Sequence, residues 1–519
     1  MAKRTSIRHL LNTTRVPTAA EADTVRQIIE ESYGELSKLR NQVDAFRNKL
    51  SNLLAKCELL EKRIEVHEAI VAPIRRLPQE VLSEIFLHCL PSRDNDLNIF
   101  PFKEAPLLLC RVCSYWRVIA RRTPPLWSTL TISNPYSYYE GRASFSGEAM
   151  GATKWISESG SRPFSVQVEF ARLDEDLGYY ADNEYENGVN GVLSAIENSS
   201  HLWTSVIGDA PHGAISRLIA LMNSGKTPLL QKFDLTRDGH AENYFDTLKM
   251  SDLSMRVISI HGMTVVPDFD GATLLNIHTL CLTGSQWSYH SLSMDIFWEC
   301  MTYCPNLQSL TLRIGKECQT PIHIVEHSHL EVCTLYFMGD VDPGPSLDRL
   351  SLPMLSKLAI FMEHGSQVGH WPHLAELLDR SRSQVTHLRI SGLHMSDHNF
   401  GQVLQSAPHL VSLRVHEFLT TEEIIKALTV KEQSKCLCPR LETIYFSGCE
   451  GVAWQSVRDM ILSRWGGLLA KDDDRSNRHP GMVLQEIVIH TRDREYRTMA
   501  AVDADIQQCI RDGLELSGF

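Results

Sequence analysis

The chain has 519 residues, of which 43% are hydrophobic and 22% charged, so it holds apolar material for several folding units and is not a wholly disordered protein. A net charge of -12 with a pI near 6.0 excludes general nucleic-acid binding, because neutralising phosphates needs a basic footprint. No apolar run approaches membrane length, no secretory pattern stands at Met1, and the 13 cysteines are odd in number. A protein with reduced thiols in cytoplasm or nucleus, without membrane attachment, is expected.

Residues 1–20 carry Lys3, Arg4, Arg8 and Arg15 but no acid, and read as a basic disordered tail; the helical spacing of Ile7, Leu10 and Leu11 is also that of a mitochondrial transit peptide. Residues 21–72 keep a three-four spacing of apolar side chains, the pattern of a coiled coil. One seam position is held by Leu36, Val43, Leu50, Cys57, Ile64 and Val71, the other by Val25, Leu39, Phe46, Leu53 and Leu60, with Ser32 and His67 as polar breaks. Such a helix runs about 75 Å, too long to be covered by a small neighbouring domain. A homodimer through residues 21–72 is therefore expected, and the alternative is an antiparallel contact within the chain.

Residues 77–127 hold two apolar phrases, LPQEVLSEIFLHCLP and APLLLCRVCSYWRVIARRTPPLW. The first reads as a helix with Pro78 at its first position and Pro91 closing it. Val81, Leu82, Ile85, Phe86 and Cys89 fall on one stripe of that helix. The second offers Leu107, Leu108, Leu109, Val112 and Cys113, then Trp116, Ile119 and Ala120 after a Ser114 cap. A unit of roughly 45 residues buries little apolar surface alone, so leftover surface is expected to meet a partner.

In the order of its Leu-Pro, Ile-Phe, Val-Cys and Trp-Arg pairs, residues 73–130 resemble an F-box. The resemblance covers about a tenth of the chain. It implies docking onto a Skp-type adaptor, and through it a cullin ubiquitin ligase. Carried over residue by residue, the adaptor-binding set is Leu77, Pro78, Val81, Leu82, Ile85, Leu90, Val112, Cys113 and Trp116. The connection from Pro91 to Glu104 is longer than the compact F-box pattern, a departure that the fungal branch of the family tolerates.

From residue 131 to 490 a phrase of the form L-x-x-L-x-L recurs. Copies begin at Leu230, Met255, Ile277, Leu307, Leu330, Leu355, Val385, Leu410, Leu441 and Leu484. Up to Leu441 they recur about every 26 residues, which predicts an α/β leucine-rich-repeat solenoid with a short strand per repeat and helices such as ELLDRSRS and NFGQVLQSA between. The position where a regular repeat keeps Asn or Cys holds Gly315, Ser285, Asp340, Glu363, Leu393 or Phe418, and only Cys449 conforms, so no continuous asparagine ladder is expected. Phrases at residues 126, 162 and 202 read as degenerate strands starting the stack; LAKDDDRSNRHPG at 469–481 reads as an inserted loop, and 491–519 as a tail or capping helix. In F-box proteins built this way the solenoid is the substrate receptor, and the resemblance implies that role here.

Catalytic signals are sparse. His323, Glu326 and His327 match H-x-x-E-H, but zinc ligation at that spacing needs a helix and the β-branched TPIHIV predicts strand or loop. Cys110 and Cys113 have redox or zinc spacing without a second pair, and Cys436, Cys438 and Cys449 lack a fourth ligand. The acidic stretch from Asp174, DEDLGYYADNEYEN, lacks calcium-loop spacing and reads as a solvated loop. No metal, cofactor or catalytic residue is expected. The chain reads as a multidomain, non-catalytic receptor subunit of a ubiquitin ligase with an unknown protein target; the alternative is a non-ligase interaction scaffold oligomerised by its coiled coil.

Overall fold

The computed structural model describes residues 16–518 apart from 92–103, 135–144, 171–179, 239–244, 285–290, 364–370, 417–420, 432–435, 466–483, 492–493 and single positions 252, 340, 383, 394 and 450. Most of the basic tail, the connection from Pro91 to Glu104 and the loop at 469–481 therefore lie outside the described residues. The chain falls into two units, Met1–Ile85 and Phe86–Phe519.

In the first unit, Ala19–Val71 is one helix of 53 residues, beginning two residues before the expected boundary. Thr18 starts it: its N–H and hydroxyl both donate to the Glu21 carboxylate, at 2.8 and 2.7 Å, as in a capping box. The seam side chains Leu36, Leu39, Val43, Phe46, Leu50, Leu53, Leu60 and Ile64 are between 41% and 70% exposed. Surface ion pairs such as Glu58–Lys62 line its polar sides and add little. A helix of this length draws its stability from whatever covers its apolar stripe. A short 3₁₀ turn, Pro73–Arg76, follows it.

The second unit is built on one parallel sheet that takes its strands in chain order. These are β1 (Thr129–Asn134), β2 (Phe164–Phe170), β3 (Trp203–Pro211), β4 (Lys232–Asp238), β5 (Val257–His261), β6 (Thr279–Thr283) and β7 (Ser309–Lys316). They continue as β8 (Val332–Phe337), β9 (Lys357–Met362), β10 (His387–Ser391), β11 (Ser412–His416), β12 (Thr443–Ser447), β13 (Glu486–His490) and β14 (Glu515–Ser517). Parallel neighbours need crossovers, and helices such as Tyr180–Glu197, His373–Ser381, Asp397–Ser406 and Trp454–Arg464 supply them.

Each recurring phrase sits at one fixed place in this layout. Leu230, Met255, Ile277, Leu307, Leu330, Leu355, Val385, Leu410, Leu441 and Leu484 all stand two residues before a strand and are at most 2% exposed. Within the strands the inward side chains alternate, as in Leu310, Leu312 and Ile314 of β7, all fully buried, which is the period-two consequence of the pleat. In place of an asparagine ladder, a backbone ladder closes the entry to the strands from β5 to β13. The Gln308 carbonyl accepts from the N–H groups of Glu331 and Val332, that of Glu331 from Ser356 and Lys357, and that of Ser356 from Thr386 and His387, all at 2.8–3.1 Å. One carbonyl per step uses both lone pairs, so the N–H groups that enter these strands are satisfied without a side-chain ladder.

Helix starts are set by local chemistry. Ser396 Oγ accepts from Asn399 N–H at 3.3 Å, and Thr421 Oγ1 from Ile424 N–H at 3.4 Å, as N-caps do. Asn399, fully buried, is satisfied in turn: Trp371 N–H donates to its Oδ1 at 2.9 Å and its Nδ2 donates to Gln402 at 3.1 Å.

Two sequence expectations for this unit need correcting. The second half of the acidic stretch is not loop: Tyr180–Glu197 is a helix, whose Val189, Val192, Leu193 and Ile196 enter the core. Residues 491–519 hold more than a capping helix, since Arg494–Val502 and Ala504–Arg511 are followed by β14, which pairs with β13. The sheet begins at Thr129, within the phrase at residue 126 that the sequence reads as its first degenerate strand.

Gly392, just past β10, has φ of 69°, and a Cβ there would lie 2.1 Å from the Met362 carbonyl oxygen. Gly392→Ala is expected to destabilise the sheet unit by about 2 to 3 kcal/mol, read as a lower urea midpoint.

Candidate functional site

The first helix of the F-box stretch is Gln79–His88. Pro78 lies one residue outside it, and its carbonyl accepts the Leu82 N–H at 3.1 Å, so the proline ends the extended entry and does not open the helix. The single stripe expected from spacing divides in two. Leu82 and Phe86 are fully buried, whereas Val81 is 44% and Ile85 37% exposed; Cys89 is exposed, Pro78 is exposed, and Leu77 and Leu90 are half-buried. The four apolar positions i, i+1, i+4 and i+5 span too wide an arc for one surface to cover. Leu82 is enclosed, and Val81 and Ile85 lie open.

In the second segment, Leu109–Val112 and Ser114–Arg121 are separate helices, broken at Cys113, whose backbone is extended. The cap of the second helix is Cys113, not Ser114: its Sγ accepts from the Trp116 N–H at 3.4 Å, and Ser114 is the first residue inside. Trp116 is half-buried, its ring 4.8 Å from that of Phe86, while Ile119 and Ala120 are buried. Val112, Tyr115 and Val118 are 45% to 56% exposed. Tyr115 and Val118 were not singled out by sequence reasoning, although their spacing from Val112 was available. Trp127, buried, donates from its indole to the Ala120 carbonyl at 2.9 Å and accepts at its own carbonyl from Trp155 at 3.1 Å, so this helix is pinned to the start of the sheet.

The thiols here are packing groups. Burial pushes the Cys110 thiol above its ordinary pKa, against the pull of Arg121 and Arg117, and Cys113 is engaged as a cap. A protonated thiol is a poor nucleophile and a poor metal ligand. Cys438 is likewise buried, pushed up to about 12, with its Sγ directed at the Leu404 and Ala407 carbonyls, each at 3.4 Å.

The H-x-x-E-H match lies on no helix. Val325–Glu326 is a two-residue strand paired with Leu350–Ser351, and buried His327 donates from Nε2 to the Cys304 carbonyl at 2.9 Å. Burial holds its pKa below the ordinary value, as for a neutral core imidazole. A second grouping, His212, Ser216 and Asp246, has the residue types of a hydrolase triad but not its order. Ser216 donates to the Asp246 carboxylate and also lies 3.3 Å from His212 Nε2, the same nitrogen that faces Asp246 at 3.7 Å. A relay needs the carboxylate on the opposite ring nitrogen from the serine. Among the described residues no helix is long and apolar enough to cross a membrane.

The family description F-box-like matches residues 74–133. No curated protein matches the chain. The stretch 74–133 is thus similar to an F-box-like domain, and domains of that kind generally bind Skp-type adaptors.

Proposed function

We propose that this chain is the substrate-recognition subunit of a Skp-cullin-F-box type ubiquitin ligase in cytoplasm or nucleus. Its F-box-like domain docks the adaptor, which bridges to the cullin. The parallel-sheet unit is an irregular leucine-rich-repeat solenoid that holds the protein target. The transfer chemistry belongs to other subunits, and this chain contributes proximity alone. One observation carries the reading: Val81 and Ile85 point outward from a helix whose Leu82 and Phe86 are already buried, so two apolar side chains await a cover. The fixed two-residue offset between each repeat phrase and its strand supports the solenoid. Affinity purification of the full chain followed by mass spectrometry tests the whole assignment; recovery of a Skp-type adaptor with a cullin is expected, and absence of both sinks it.

The long helix pairs with a second copy. Eight exposed seam side chains on one heptad frame have no other cover among the described residues, and β-branched residues at one seam position with mostly leucine at the other favour a parallel pair. Leu50→Glu combined with Leu53→Glu is expected to convert a dimer to a monomer in sedimentation equilibrium. A wild-type chain that sediments as a monomer ends this proposal.

A further inference from the structure

The face of the sheet opposite the buried leucines carries its charges unevenly, and its one cation on β2 to β4 among the described residues, Lys232, is paired with Asp234 at 3.1 Å. On β2 to β4 its outward positions include Glu169, Asp209 and Asp234, and on β13 and β14 Glu486 and Glu515. Between them, the outward positions of β7 to β11 hold no acid. They hold Arg313, Lys357, Arg389 and Arg414, with His387 and His416, in a chain whose net charge is -12. Register brings these together from distant sequence. Lys357 stands opposite His387, and Arg389 directly opposite Arg414. Like charges in that cross-strand position are destabilising, and among the described residues none of the four cations has a carboxylate partner.

The rings beside them organise the cations. Tyr336 and Phe361 stack at 4.5 Å and 9°, with the Arg313 guanidinium 5.2 Å from the Tyr336 ring centre and Arg389 4.8 Å from that of Phe361. Stacking on a ring occupies the π face of a guanidinium and leaves its in-plane N–H fork for a carboxylate. Arg313 Nε is buried with no hydrogen-bond partner. Burial, together with Lys357 and Arg414, holds His387 below its ordinary pKa, and burial with Arg389, Arg414 and His490 does the same to His416, so the fixed charge at neutral pH is that of the arginines and the lysine.

Resting on the reading of this sheet as the target receptor, we propose that the outward face of β7 to β11 binds an extended acidic peptide segment of the target, rich in Asp and Glu, through Arg313, Lys357, Arg389 and Arg414. The cations are spread over strands about 4.8 Å apart and do not converge on one point. That layout suits single charges distributed along a chain better than one dianionic phosphate, which gathers its donors around one centre.

The test uses the full chain and a fluorescein-labelled peptide of alternating glutamate and leucine, followed by anisotropy. Binding about tenfold tighter than that of the glutamine-for-glutamate peptide, weakening as salt is raised, is expected. The Arg389→Glu, Arg414→Glu double variant is expected to lose about tenfold in affinity while keeping its circular dichroism; the peptide comparison on the wild type stands even if that variant fails to fold. Equal binding of the two peptides overturns the proposal. Tighter binding of a singly phosphorylated serine peptide, or of a single-stranded RNA, than of the glutamate peptide overturns it too. Adaptor capture by the same preparations reads the ligase assignment separately, so a chain that captures adaptor yet ignores the acidic peptide fails this inference alone.

Discussion

Ile85→Glu is expected to abolish capture of a Skp-type adaptor while leaving the chain folded, and Val81→Glu to do the same. Both side chains are more than a third exposed in the free chain, so a glutamate there stays hydrated and costs the fold little. In the complex, the same carboxylate would be pressed against apolar surface without a partner. Burying an unpaired charge costs several kcal/mol, and a loss of roughly 3 kcal/mol is already more than a hundredfold in affinity. A pull-down with purified adaptor, read beside circular dichroism, checks this. Leu82→Glu is no substitute for these variants: Leu82 is fully buried, and unfolding would mimic loss of docking. Undiminished capture by both folded variants removes the ligase reading.

Arg464→Ala is expected to lower the stability of the sheet unit by about 3 to 5 kcal/mol. The residue ends the helix Trp454–Arg464 and is only 3% exposed. Its guanidinium donates to three backbone carbonyls, from Nε to Leu428 at 2.6 Å, from Nη1 to Cys438 at 3.0 Å and from Nη2 to Leu437 at 2.6 Å. Leu428 closes the preceding helix, so its carbonyl is one of those a helix C-terminus leaves unpaired. The other two belong to the turn leading into β12, where their further donors are local, the Leu441 N–H and the Cys436 thiol. Burial lowers the pKa of Arg464, with the Cys436 and Cys438 thiols opposing, yet a guanidinium remains charged in any protein environment. Removing it strands the Leu428 carbonyl and takes the charged donor from the other two, leaving Cys438 with the Leu441 N–H at 3.2 Å and Leu437 with the Cys436 thiol at 3.5 Å. Arg464→Lys is expected to recover only part of the loss, because an ammonium cannot place donors at the ends of a planar fork. Chemical denaturation of the three proteins decides, and an alanine variant within about 1 kcal/mol of wild type refutes the account.

The strands of the sheet were legible because their signal is local. In CPNLQSLTL, Leu307 caps the turn and Leu310 and Leu312 alternate inward, and every step of that is dictated by the pleat. The acidic stretch reads as loop for the opposite reason, although its second half opens the helix Tyr180–Glu197. Its first turns are acidic and aromatic, and the buried Val189, Val192, Leu193 and Ile196, about two turns of apolar packing, hold it as a helix. β14 was missed because three residues after a glycine carry almost no pattern of their own; the unpaired edge of β13 recruits them.

Sequence by itself determined the long heptad helix, the F-box-like stretch and the place of each inward leucine, since periodicity and turn chemistry act over a few residues. Only the tertiary structure decided which side of the first F-box helix remains open, because Leu82 and Val81 are equally apolar and differ only in what surrounds them. It alone assembled the cationic face. Arg313, Lys357, Arg389 and Arg414 lie on four separate strands, and it is strand register, fixed by hydrogen bonds between distant segments, that sets them side by side.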